Sequence, residues 1–215
     1  MEPDALRPAL AAAAVGEVPF EGWSDAALRR AARDLALAPA DIEAAFPDGA
    51  RDLIEYWAAT NDERMIDGLA TVDLGALKVR ERVALAIKLR LTGMASQREA
   101  MRRALSFLAL PRNAALGTRL LYRTVDTIWY AVGDRSTDHN FYTKRALLAG
   151  VYAATVLYWL DDRSEGAAET WGFLERRLDQ VMRLPRLIGK MTERARVLAR
   201  GLPSPLRLFR PPVLR

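Results

Sequence analysis

The chain has 215 residues, of which 51% are hydrophobic and 27% are charged. These are values of a globular protein with enough apolar material for a core, and the length indicates one domain, or one domain with a small appendage. The absence of cysteine excludes disulfide bonds, thiolate zinc sites and cysteine nucleophiles. The net charge of +5 is concentrated at one end, because the segment from Arg183 to Arg215 carries nine Arg or Lys against one Glu. A basic tail on a mildly acidic body indicates an anionic partner, either nucleic acid or a membrane surface.

The composition favours helices, since Ala, Leu and Arg are abundant while Val, Ile and Thr are scarce. An Ala-rich stretch predicts a first helix over residues 3–15, closed by a loop from Gly16 to Gly22 that contains Pro19. Ser24 or Asp25 is suited to cap the second helix, because its side-chain oxygen can accept bonds from the first free backbone N–H groups. Apolar residues then recur at spacings of three and four, which indicates an amphipathic helix of about three turns.

The next elements predict a helix-turn-helix. A short helix from Ala40 to Phe46 ends at Pro47-Asp48-Gly49, and a long helix follows. This succession resembles the N-terminal module of TetR-type regulators. The helix that would enter the major groove carries Asp41 and Glu43 and no Arg or Lys. Because DNA binding depends on cationic contacts to phosphates, we predict that this module does not bind DNA.

The middle of the chain keeps a helical pattern from Leu74 to Val132. We interpret the basic residues of this region, Arg98, Arg102 and Arg103, as a solvated face. Asp126 interrupts an apolar stretch and must be exposed or paired, because an unpaired buried charge is costly. On a helix it shares a face with Tyr122, Trp129 and Tyr130. That face is either an interaction patch or an ordinary helix surface with one exposed Asp.

A turn at Gly133 precedes a second apolar helix, and Thr137 or Asp138 is placed to cap its start near His139. From Ala146 to Leu160 the pattern is apolar on nearly all faces, and it is too short for the span of about 20 residues that a membrane requires. Such a helix lies in the middle of a bundle, lines a cavity or is covered by another subunit. With the last body helix, Ala168 to Met182, it suits a two-fold homodimer.

The basic tail predicts a further helix, opened near Pro185 and closed by Gly201 and Pro203. Its apolar residues form one stripe and its cations occupy the remaining surface, which favours the headgroup plane of an anionic membrane. Packing of the stripe on the body or on a partner protein is the alternative. The residues that we expect at the membrane are Leu187, Ile188, Lys190, Met191, Arg194 and Leu198.

The sequence offers little for catalysis. His139 is the only histidine and has no Ser nucleophile motif near it. Paired Glu-x-x-His motifs and Gly-rich phosphate loops are also missing from the sequence. We therefore predict a protein that is not an enzyme, with no catalytic residues, no metal site and no cofactor.

The stretch from Trp129 to Tyr152 reads WYAVGDRSTDHNFYTKRALLAGVY, with TVDTI before it and ETWGFLERRLDQVM after it. It closely resembles the ubiquinone-biosynthesis accessory family Coq-nine. The resemblance implies an all-α, TetR-like bundle with a helix-turn-helix remnant and a C-terminal amphipathic helix. It also implies a non-catalytic protein that binds isoprenoid quinone intermediates and presents them to a di-iron hydroxylase at the membrane. A TetR-type, ligand-responsive transcriptional regulator is the alternative function.

The resemblance also assigns sites. It places partner docking at Asp126, Ile128, Asp138 and Phe141, where Ile128 replaces a Met of the family and Phe141 replaces a Trp. We expect the lipid cavity to involve Leu120, Trp129, Leu148, Tyr152 and Trp159.

Three parts are expected: a helix-turn-helix-like part (1–70), lipid-binding and dimerisation helices (71–182) and a membrane-binding tail (183–215). The sequence start shows no signal or transit peptide pattern. We therefore expect a bacterial-type, cytoplasmic protein that lies peripherally on the inner face of the cell membrane.

Overall fold

The computed structural model describes residues 3–133 and 140–181, with side chains described for residues 6–133 and 142–181. All regular secondary structure in these ranges is helical, which confirms the all-α prediction. Short 3-10 turns precede α5, α6, α7 and α9. The α-helices are α1 (Pro3–Glu21), α2 (Asp25–Asp34), α3 (Pro39–Ala45), α4 (Ala50–Ala70), α5 (Val79–Gly93), α6 (Arg98–Leu108), α7 (Ala114–Ala131), α8 (Asn140–Asp161) and α9 (168–181).

Helix α1 is longer than the sequence predicts, because it continues through Gly16 and Pro19 to Glu21. The predicted loop from Gly16 to Gly22 is therefore wrong. The helix ends at Gly22, which has a φ of 68° and donates its N–H to the Val18 carbonyl over 2.9 Å. Burial of one α1 face against α2 stabilises the helix across the proline, which costs one backbone hydrogen bond.

Helices α2, α3 and α4 form the predicted helix-turn-helix. Ser24 is the N-cap of α2, and its hydroxyl accepts from the Ala27 N–H over 3.4 Å. Gly49 at the start of α4 has a φ of 53°, and a Cβ there would collide with the Asp25 carboxylate. That carboxylate accepts from the Ala50 N–H over 3.1 Å, so a glycine is required where the two helices meet.

Two tryptophans connect the helix-turn-helix to the remaining helices. Trp23 donates its indole N–H to the Ala100 carbonyl of α6 over 2.9 Å, and its ring lies 5.1 Å from the ring of Trp57. Trp57 on α4 donates to the side-chain oxygen of Gln97 over 2.7 Å. Because both indoles are buried, these bonds satisfy donors that would otherwise be lost from water.

Residues 1–175 form one compact unit, and residues 176–215 form a second. The predicted boundary at residue 70 coincides with the end of α4, but α4 packs on α5 and α7 within the first unit. Of the second unit only residues 176–181 are described. The predicted tail, with its membrane residues, lies outside the described residues.

The end of α8 is held by arginines that we had placed on a solvated face. Arg98 donates to the Asp162 carbonyl over 2.6 Å, and its guanidinium lies 4.6 Å from the centre of the Trp159 ring. Arg102 donates to the Leu160 carbonyl over 2.9 Å. The prediction is wrong for Arg98, which is half-buried, whereas Arg102 is exposed as predicted. Both bind the end of α8 because the C-terminus of a helix presents unpaired carbonyls that attract cations. In the described part of the chain no helix combines the length and apolarity needed to cross a membrane.

Candidate functional site

A cavity of about 440 Å³ lies between α4, α6, α7 and α8. This volume is in the range of small-molecule sites, which are about 300–1,000 Å³. Most of its wall is apolar, and the apolar lining consists of Ile54, Trp57, Ala58, Met101, Ala104, Leu105, Leu108, Ala114, Leu120, Leu121, Ala153, Val156 and Leu157. Helix α4 contributes three of these, so the cavity is not confined to the predicted part 71–182.

One end of the cavity is polar, and it is formed by Arg90, Thr124 and Tyr152. Only 4%, 3% and 6% of these residues' surfaces are exposed, respectively. Asp62 is also buried, and its carboxylate accepts from the Arg90 Nε over 2.7 Å and from the Thr124 hydroxyl over 3.1 Å. Arg90 also donates through Nη1 to the Tyr152 hydroxyl oxygen over 2.5 Å. We call these four residues the buried polar cluster.

The buried polar cluster contains one cation and one anion in direct contact. A buried ion pair is stable only when hydrogen bonds satisfy its remaining donors and acceptors. Here the Arg90 Nη2 donates to the Thr124 hydroxyl over 3.4 Å and to the Ala58 carbonyl over 3.5 Å. Burial raises the pKa of the Tyr152 hydroxyl above its ordinary value, so this group is a neutral donor at pH 7. Asp62 and Arg90 were not predicted from the sequence, although two cations within the otherwise apolar run VALAIKLRL were a usable signal.

The opposite end of the cavity opens towards solvent. Thr118 and Leu157 are exposed there, and Leu108 and Leu121 are half-buried. A Cβ at Gly117 would lie 3.2 Å from the Leu108 Cβ, so the glycine allows the end of α6 to approach α7 at this rim. The cavity therefore has a polar inner end and a mostly apolar opening, with Thr118 as the polar residue named at the opening.

Two of the five residues predicted for the cavity line it, and three do not. Leu120 and Tyr152 line it. Trp129, Leu148 and Trp159 are buried, but none of them belongs to its lining. The Trp129 ring lies 5.8 Å from the Lys144 ammonium, and Trp159 lines a second cavity of about 280 Å³ at the end of α8.

Of the predicted docking residues, Asp126 and Ile128 have side chains that the structure describes, and these two differ in exposure. Asp126 is accessible, with 56% of its side chain exposed, and it accepts from the Arg145 Nε over 2.6 Å. Tyr122 and Tyr130 are exposed on the same side of α7. We call Tyr122, Asp126 and Tyr130 the α7 surface.

Two residues of α7 that the sequence placed on or near this surface are buried. Ile128 has no exposed surface and Trp129 has 6%. Since a docking residue must be accessible to its partner, Ile128 does not present a docking contact in this fold. Asp138 lies outside the described residues. Phe141 belongs to the first turn of α8, and its side chain is outside the described ones.

Comparisons with known proteins agree with this architecture. A family model named COQ9 matches residues 114–185. The chain is 33% identical over 197 residues to the human protein "Ubiquinone biosynthesis protein COQ9, mitochondrial", covering 88% of this chain and 62% of the human one. It is 31% identical over 204 residues to COQ9-B of Xenopus laevis, covering 92% of this chain and 69% of that protein. The chain thus spans less than two thirds of the human relative's length.

A solved structure shares the fold. The TetR transcriptional regulator from Nitrosomonas europaea superimposes with a TM-score of 0.68, covering 83% of this chain and 99% of that one. The two are 24% identical, so the likeness shows a TetR-like fold. The human and frog relatives are named as mitochondrial, which conflicts with the bacterial-type remark in our expectation of location.

Proposed function

Because the chain belongs to the COQ9 family, we propose that it is a non-catalytic accessory protein of ubiquinone biosynthesis that binds isoprenoid quinone intermediates. The observation that carries this proposal is the cavity between α4, α6, α7 and α8, whose wall is mostly apolar and whose buried polar groups lie at its inner end. Burial of apolar ligand surface contributes roughly 25 cal/mol per Å², so such a wall favours a lipid. No group of three or more His, Asp or Glu suited to a metal ion occurs in the part of the chain that the structure describes.

The cavity volume of about 440 Å³ lies towards the lower end of the range for small-molecule sites, so we expect it to hold only part of a long isoprenoid lipid. A bound lipid therefore places only one end inside, while the remainder leaves through the rim near Leu157. This arrangement is compatible with a protein that presents a lipid to another enzyme.

The proposed partner is the di-iron hydroxylase, which docks on the α7 surface. This surface combines an exposed carboxylate with two exposed tyrosines, and tyrosine is among the residues enriched at the energetic centres of interfaces. Asp138 and Phe141 follow α7 closely in the chain, and they remain part of the proposed surface. Ile128 does not, because it is buried.

The proposed membrane contact is the basic tail, which would hold the protein peripherally at an anionic surface. In the predicted helix, apolar residues form one stripe and cations occupy the remaining surface. Each cation near an anionic membrane contributes about 1 kcal/mol to binding. In the full chain, Lys190→Glu with Arg194→Glu should reduce co-sedimentation with liposomes that contain anionic lipid. Unchanged binding of this double variant would contradict the membrane role.

The proposed assembly is a homodimer. On α8, Tyr158 exposes 37% of its largely apolar surface. Such surface is a common feature of subunit interfaces. Sedimentation velocity over a range of concentrations tests this directly, and a monomer at all concentrations contradicts it.

Lipid binding is tested by native mass spectrometry of the purified full chain, followed by solvent extraction. We expect a bound quinone or isoprenoid lipid in the extract. The alternative, transcriptional regulation, is disfavoured because α3 is seven residues long and carries Asp41 and Glu43 without any Arg or Lys. A lipid-free protein that shifts duplex DNA at physiological salt would overturn our proposal in favour of that alternative.

A further inference from the structure

The inner end of the cavity has one hydrogen-bond donor to spare. Tyr152 is 6% exposed, lines the cavity, and uses its hydroxyl oxygen to accept from Arg90. None of the hydrogen bonds found between described residues takes up the hydroxyl proton of Tyr152. A buried donor without an acceptor costs about 1–3 kcal/mol, so a ligand that supplies the acceptor gains affinity.

The guanidinium of Arg90, which lies beside Tyr152, already has acceptors for its N–H groups. Arg90 directs its N–H groups at the Asp62 carboxylate, the Thr124 and Tyr152 hydroxyls, the Ala58 carbonyl and the Met94 sulfur. The charges of Arg90 and Asp62 cancel, so the buried polar cluster is neutral as a whole. An anionic head group placed here would lose its hydration without meeting an unpaired cation, which is costly. A cationic head group would meet the guanidinium at short range.

We infer that the cavity binds its lipid head first, with a neutral carbonyl oxygen of the head group accepting a hydrogen bond from the Tyr152 hydroxyl. The apolar tail then leaves between Leu121 and Leu157 at the rim. This inference rests on the proposed lipid-binding function and deepens it, because it defines the head as neutral and carbonyl-bearing. A quinone ring belongs to this class, whereas a fatty acid or an anionic phospholipid does not.

The geometry supports this orientation at both ends. Polar groups occur at the closed end, where Arg90, Thr124 and Tyr152 are all buried. The rim offers Leu157, with 59% of its surface exposed, to an emerging chain. A reversed ligand would leave the Tyr152 donor unpaired and would bring a polar head to an apolar rim.

The test is a head-group series at constant tail length, measured by calorimetry with the delipidated full chain at pH 7.4. Three probes carry the same ten-carbon chain: a decyl-substituted p-benzoquinone, decylbenzene and decanoate. We expect the quinone to bind about tenfold more tightly than either of the others. Equal binding of decylbenzene, or tighter binding of decanoate, would overturn the inference while leaving lipid binding intact. If none of the three probes binds, the proposed lipid-binding function fails as well.

The Tyr152→Phe variant then identifies the donor, since it removes the hydroxyl and keeps the ring. We expect it to bind the quinone about tenfold more weakly and decylbenzene as tightly as before. Tyr56→Phe makes the same chemical change on α4, at a ring that packs on Phe46 outside the cavity, and should leave all three affinities unchanged. Retention of the quinone preference in Tyr152→Phe excludes this hydroxyl as the donor. Should Tyr152→Phe fail to fold, the series with the unmodified chain still decides the class of head group.

Discussion

The chain contains two Arg–carboxylate pairs of similar length that lie in opposite environments. In the Arg90–Asp62 pair both side chains are buried, with 3% and 5% exposed, and the two groups are 2.7 Å apart. In the Arg145–Asp126 pair the groups are 2.6 Å apart, but 56% of the Asp126 side chain is exposed. The first carboxylate is fully used inside the protein, whereas the second keeps one side open to solvent. The same two residue types thus form a buried pair beside a cavity in one place and leave a carboxylate at the surface in the other, where we propose that a partner docks.

The largest expected loss of stability comes from breaking the buried Arg90–Asp62 pair. Asp62→Ala leaves the Arg90 charge uncompensated in the core, which typically costs about 3–5 kcal/mol. We expect urea-induced unfolding of this variant to show that loss in the free energy of unfolding. Asp62→Leu with Arg90→Met removes both charges together and should recover most of the stability. A double variant that is no more stable than the single one would contradict this account.

A third carboxylate, that of Asp162, is stabilised by hydrogen bonds from neutral donors and not by a cation. It accepts from the N–H and hydroxyl of Ser164 and from those of Thr170, at distances of 2.5 to 2.9 Å. Burial acts to raise the pKa of Asp162, but these hydrogen bonds outweigh burial and hold it below its ordinary value. Asp162→Asn should cost about 1–3 kcal/mol at pH 7, because donors lose their acceptor.

The pH dependence of this effect has a definite sign. Because the folded-state pKa of Asp162 is lowered, its contribution is complete above the unfolded-state pKa of about 3.9 and is lost as the pH falls below it. Melting temperatures measured from pH 7 to pH 3 should therefore fall less steeply for Asp162→Asn than for the unmodified chain. Parallel curves would show that Asp162 does not titrate in this way.

Asp126→Ala should destabilise the protein less than Asp62→Ala does, because 56% of the Asp126 side chain is exposed. The loss should still exceed the about 0–1 kcal/mol of a fully exposed ion pair, since the Arg145 side chain is only 6% exposed and loses this acceptor. Capture of the di-iron hydroxylase by the immobilised variant should also weaken, because the exposed carboxylate is proposed to contact that partner. Asp161→Ala, which removes another exposed carboxylate at the end of α8, serves as the matched control. Equal capture by both variants would remove Asp126 from the proposed surface.

The sequence predicted the helix-turn-helix well, because its caps and breaks depend on neighbouring residues. Ser24, for example, caps α2 within its own turn. The loop predicted around Pro19 is wrong, because packing of α1 on α2 overrides the local preference of proline to end a helix. Local patterns could not reveal that the two sides of residue 70 share one compact unit.

The candidate sites were predicted less well, because they depend on which helices meet. The buried polar cluster brings together Asp62, Arg90, Thr124 and Tyr152 from four helices. The spacing of these residues in the sequence does not indicate that their helices pack against one another. The face of Asp126 follows helical spacing, so Tyr122 and Tyr130 were placed correctly as its exposed neighbours. The core position of Trp129 is set by packing rather than by this spacing.

Helix α4 is part of the helix-turn-helix and also part of the cavity wall. Its first residue is fixed to Asp25 of α2, while Ile54 and Ala58, one and two turns further on, line the cavity. With 21 residues it is a rod of about 32 Å. If the proposed lipid displaces the wall at Ile54, we expect the turn before α4 to move with the helix. The exchange rate of the Ala50 amide hydrogen should then differ between the empty and the lipid-filled protein, and equal rates would contradict this coupling.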